Sequence, residues 1–128
     1  MSYYFSRKVK GSFEEVEKRV RRSLGEEGFG VLTEIDVKET LKKKMEVDFR
    51  KYKILGACNP PFAYKALQEE DKIGTMLPCN VIIQEAGSDE VEVAAIDPIA
   101  SMQAVKNEAL QPVAEQAQQK LKKVVDSI

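Results

Sequence analysis

The feature that most restricts the fold is a repeated change of hydrophobic period. "SYYFSRKVKG" alternates as a half-buried strand does, and "SFEEVEKRVRRSL" then places Phe13, Val16, Val20 and Leu24 at helical spacing. Ser12 and Glu15 form the Ser-x-x-Glu pattern of a capping box at the start of that helix. The exchange then repeats. "FGVLTEIDV" reads as a second strand, and Asp36 with Glu39 opens a shorter helix with Val37, Leu41 and Met45 on its buried stripe. "YKILGAC" is a third strand and "NPPFAYKALQEED" a third helix, while "LPCNVIIQEAG" and "VEVAAID" flank the turn "GSDE" as a hairpin. "PIASMQAV" predicts a short helix. The last segment predicts a long one with Leu110, Val113, Ala117, Leu121, Val124 and Ile128 facing inward and Pro112 confined to the first turn. This order implies one α+β domain over residues 1–128: a mainly antiparallel sheet of about five strands, with the first and last helices packed on one face. At 128 residues the chain can bury a core without disulfides or a structural metal.

Composition narrows the chemistry. The chain has no histidine, which removes Ser-His-Asp and Cys-His catalysis and most zinc sites. A general base would have to be a carboxylate, lysine, tyrosine or thiolate, and no carboxylate pair stands out by its spacing. The net charge of -1 gives no global attraction to nucleic acid or anionic lipid. Lys42–Lys44 with Arg50, Lys51 and Lys53 form the one basic cluster. Glu39, Glu46 and Asp48 interleave it, so it reads as a solvated helix face rather than a nucleic-acid footprint. The glycines of "GEEGFG" follow a helix and precede a strand, the reverse of a dinucleotide-binding fingerprint, and read as a helix C-cap and turn. No apolar run approaches a membrane span, and no signal-peptide core is present. The expectation is a soluble cytoplasmic protein with two reduced thiols.

Those two thiols, the only cysteines, each precede an asparagine: Cys58-Asn59 and Cys79-Asn80. "ACNPPFAYKAL" and "AIDPIASMQAV" share an order of apolar strand end, Asn or Asp, Pro and helix, so Asn59 and Asp97 read as N-caps with Pro60 and Pro98 at N1. Cys58 stands just before a helix start, where a thiolate is favoured, although Pro60 and Pro61 remove two of the free amide donors. If the third and fourth strands are antiparallel, the thiols converge at one sheet end; if parallel, they part.

The segments "YKILGACNPPFAYKAL", "IGTMLPCNVIIQE" and "AIDP", with the C-terminal amphipathic helix, resemble the bacterial and archaeal domain-of-unknown-function family 302 over nearly the whole chain. The resemblance implies a curved antiparallel sheet of TATA-box-binding-protein-like arrangement and a homodimer. It brings no activity and no cofactor. The antiparallel arrangement it favours would set Cys58, Asn59, Cys79 and Asn80 around a small pocket rimmed by Tyr64 and Met76. Tyr3, Tyr4 and Phe5, on a strand that would otherwise leave an exposed edge, agree with a dimer. Three readings of the thiols stay open: buried packing, a ligand-binding or thiol-chemistry pocket, and a soft metal site in which Cys58 and Cys79 supply half a tetrahedral shell and carboxylates or a second subunit complete it.

Overall fold

A computed structural model describes residues 2–128 of the protein. Five strands alternate with helices: β1 (Tyr4–Lys10), α1 (Phe13–Glu26), β2 (Gly30–Asp36), α2 (Val37–Met45), β3 (Tyr52–Cys58), α3 (Pro60–Glu69), β4 (Cys79–Gly87), β5 (Glu90–Ile96), α4 (Pro98–Ser101) and α5 (Gln111–Asp126). The strands form one fully antiparallel sheet in the order β1-β5-β4-β3-β2, so β1 and β2 are its edges.

Local chemistry explains the boundaries. The Ser12 hydroxyl accepts from the Glu15 amide (3.2 Å), and Asp36 accepts from the Glu39 amide (3.0 Å), closing the free donors of α1 and α2. After α1, Gly28 takes a φ of +83°, a left-handed conformation that suits glycine and turns the chain into β2. Pro112 falls in the first turn of α5, where its missing amide breaks no helical bond.

Helices α1 and α5 lie together on one face of the sheet. Val16, Val20 and Leu24 of α1 and Leu121 and Val124 of α5 are completely buried against Leu55, Val81, Ile83 and Val93. Each such side chain contributes about 1.5–3 kcal/mol through burial, which makes this layer the main source of stability. A second, smaller core of Ala66, Ile73 and Leu110, with Leu77, Met102 and Val105 against it, joins α3 to the segments around α4.

Three expectations need correction. Met45 is 65% exposed, not buried, because α2 packs chiefly against the edge strand β2 and its neighbour β3; Val37 and Leu41 are half-buried. Helix α3 stops at Glu69, and a 3-10 turn over Asp71–Met76 replaces its last residues. Phe5 packs on the covered core rather than lining a free edge.

The basic cluster is largely spent on ion pairs. Lys42 meets Asp48 (3.2 Å), Lys43 meets Glu39 (2.8 Å), Lys51 meets Glu14 (2.8 Å) and Lys53 meets Glu17 (3.0 Å). Burial alone would raise the Glu17 carboxyl, but hydrogen bonds from Lys53 and Arg21 outweigh it and hold the group below its usual value.

Candidate functional site

The antiparallel register brings the cysteines to the same end of the sheet. Ala57 of β3 is opposite Cys79 of β4, so Cys58 and Cys79 sit on adjacent strands one step apart. Both are free and half-buried. Helices α3 and α4 leave the sheet from this end and close over it. Beneath them is a crevice of about 30 Å³, lined by Cys58, Asn59, Cys79, Phe62, Met102, Ala114 and other apolar side chains. That is room for one water or one ion, far less than an organic ligand needs.

Asn59 occupies the N-cap position of α3, but its side chain makes no cap hydrogen bond. Its amide donates instead to the Glu27 carbonyl (3.4 Å), tying α3 to the loop after α1. Its counterpart Asp97 does cap, accepting from the Ile99 amide (3.0 Å) as well as from Gln118 (3.1 Å). The two junctions therefore share a pattern and differ in use. Burial, with a smaller contribution from the nearby Cys58, pushes the Cys79 thiol up to about 11. At neutral pH Cys79 is a protonated thiol, not a nucleophile.

Three of the six anticipated site residues do not line this crevice. Asn80 is exposed and belongs to the opposite face of the sheet, because successive strand residues alternate sides. Tyr64 is 65% exposed, and Met76, in the 3-10 turn, borders a separate surface hollow. Met102 lines the crevice instead. It holds the same offset in "AIDPIASMQAV" that Tyr64 holds in "ACNPPFAYKAL", so the repeated motif already carried the signal.

A second feature lies on the sheet face away from α1 and α5. Registers across the sheet align Ser6, Ala94, Ile82, Ile54 and Ile35 in one row, with Tyr52, Gln84, Glu92 and Lys8 alongside. Ile35 is 48% exposed, while Ile54, Ile82 and Ala94 are half-buried. A groove of about 380 Å³ runs over this face, bordered by Tyr3, Tyr4, Tyr52, Asn80, Gln84 and Glu92. Tyr3 and Tyr4 meet edge to face, their ring centroids 5.0 Å apart, at its rim. The Gln84 amide donates to Glu92 (2.8 Å), and Arg50 stacks on Phe49 and Tyr52 beside it.

A single antiparallel sheet with helices on one face, an open opposite face and a sulfur-lined end defines a two-layer α+β domain. The chain belongs to the family described as Domain of unknown function DUF302, which it matches over residues 5–128. It is similar to the crystal structure of an uncharacterized conserved protein DUF302 from Bacillus stearothermophilus, with 27% identity and a TM-score of 0.90. That similarity covers 99% of this chain and 98% of the other. No curated protein matches the chain. Among the described residues, no helix is long and apolar enough to cross a membrane.

Proposed function

We propose that the domain works as a homodimer in which two copies bury their open sheet faces against each other. The observation that carries this reading is the apolar row Ala94, Ile82, Ile54 and Ile35, half-buried to exposed on the sheet face away from α1 and α5. Polar Ser6, Lys8, Gln84 and Glu92 border that row, giving the apolar centre and polar rim of an association surface. Lys8 and Glu92 carry opposite charges on the same face, so a two-fold copy can meet each with its complement. Five strands about 4.8 Å apart, each about seven residues long, offer roughly 550 Å² per copy before side-chain relief. Two such faces bury roughly 1,100 Å², above the ~1,000 Å² that separates specific interfaces from incidental contacts.

Sedimentation velocity at micromolar concentration tests the assembly. The expected result is a dimer that Ile82→Glu converts to a monomer with an unchanged circular dichroism spectrum. Ile35→Lys, at an already exposed position, should weaken association without affecting the fold. A wild-type monomer, or an Ile82→Glu protein that remains dimeric, overturns the reading. A small-molecule ligand is the second reading, favoured by a groove volume within the usual ligand range of ~300–1,000 Å³.

A further inference from the structure

We infer that the groove on the open sheet face binds a small organic monocation, an amine carried on an aromatic or other apolar body. Tyr3, Tyr4 and Tyr52 line this groove, and Glu92 is the one charged side chain among its lining residues. Aromatic rings beside a carboxylate suit an ammonium group, because the ring faces carry the negative part of the quadrupole. An anionic ligand would meet that carboxylate and no lining cation.

Strand register assembles the end of the site that takes the charge. Tyr52 is opposite Gln84 and Gln84 is opposite Glu92, so the three side chains stand side by side on one face, about 5 Å apart at each step. Hydrogen bonds then fix them. Arg50 Nε donates to Gln84 Oε1 (2.9 Å), which turns the Gln84 amide nitrogen toward Glu92 Oε1 (2.8 Å). The second Glu92 oxygen is left to meet a ligand. Among the described residues Glu92 forms no ion pair, although Lys8 is its register partner on β1. Lys8 and Arg50 are both exposed and outside the groove lining, where solvent and salt screen their charge.

The body of the ligand has its own place. Glu92 and Ile96 are four residues apart on β5, a span of roughly 14 Å. Between them lie Ala94 and its partner Ile82, an apolar floor that the short alanine side chain leaves deep. Tyr3 and Tyr4 stand at the far end with their ring planes 72° apart, forming an aromatic corner. The Asp97 amide donates to the Tyr3 carbonyl (2.8 Å) and ties that corner to the sheet. The groove volume of about 380 Å³ accommodates a one-ring amine. Every lining residue belongs to one chain, so the site rests on the groove and not on the proposed dimer. A second copy laid over this face would compete with the ligand for it.

The test is an NMR titration of the protein with phenethylamine hydrochloride, with 2-phenylethanol as the neutral isostere. Saturable shifts centred on Tyr52, Ile82, Glu92 and Ala94 are expected. The alcohol should bind about tenfold more weakly than the amine, and Glu92→Gln, which keeps the shape, should lower amine affinity by a similar factor. Equal binding of amine and alcohol overturns the assignment, as does a Glu92→Gln protein that binds the amine as the wild type does. Ile35→Lys separates this site from the dimer, because Ile35 does not line the groove. That variant should bind the amine at least as tightly as the wild type. Tighter binding by the wild type would place the ligand between copies and overturn the single-chain site. A monomeric wild type that binds the amine refutes the dimer alone, whereas a dimeric one whose Ile35→Lys variant ignores the amine refutes the site alone.

Discussion

The two faces of the sheet use the same residues and meet different fates. On β4, Ile83 is completely buried under α1 and α5, while its neighbour Ile82 lies half-buried on the open side. On β3, Leu55 and Ile54 divide in the same way. β4 therefore has large aliphatic side chains on both faces, whereas β1 alternates half-buried Phe5 and Val9 with exposed Ser6 and Lys8. A strand that is apolar on both sides implies that both sides are covered. Within one copy only one side is. The proposed dimer would resolve this difference by laying a second copy over Ile82 and Ile54, between the polar Asn80 and Gln84.

The largest expected effect breaks the symmetry of the isoleucine pair. Ile83→Ala should destabilise the fold by about 2–5 kcal/mol, as large-to-small changes do in a packed core. Ile82→Ala, measured under dilute conditions, should cost roughly 1 kcal/mol, because it buries less area within one copy. Chemical denaturation of both variants checks this. Equal costs would mean that the open face is as tightly packed as the covered one.

A second change sharpens the boundary of the open face. Gly56 sits on that side of β3, and a Cβ there would collide with Thr33 Oγ1 and approach Pro78 Cγ to 2.6 Å. Thr33 and Pro78 thus fill the row beside the sulfur-lined end, where the apolar row is left uncovered. Gly56→Ala should cost about 1–3 kcal/mol through overpacking, read as a lower denaturation midpoint. An unchanged midpoint would show that Thr33 and Pro78 yield freely and that this row is also open.

The smallest expected effect concerns the thiol end. The folded-state pKa of Cys79, about 11, lies above the unfolded value, so the folded state holds its proton more tightly. The associated stability is complete below the unfolded pKa and is lost as pH rises through about 11. Denaturation midpoints of the protein should fall through that alkaline window, and Cys79→Ala should flatten the decline. A wild-type curve as flat as the variant's would mean that Cys79 is well hydrated.

Much of this architecture was legible in the residues. The alternation of "SYYFSRKVKG", the caps at Ser12 and Asp36 and the inward stripe of α5 act within a few residues of chain, so sequence spacing alone specified them. The pairing of the cysteines required one further fact, the antiparallel return of β4. Other features depended on which elements meet in space. Whether Met45 is covered depends on what lies beside α2, and nothing in its helical spacing reports that. Asn80 and Cys79 are neighbours in the chain yet belong to opposite faces, because the pleat sends alternate side chains apart. Tyr64 and Met102 occupy equivalent places in a repeated motif, and only the packing of α4 against α5 decided which one lines the crevice. Local periodicity is a property of a few consecutive residues and survives in the sequence. Coverage, exposure and convergence are set by contacts between distant segments, and those exist only once the chain has closed on itself.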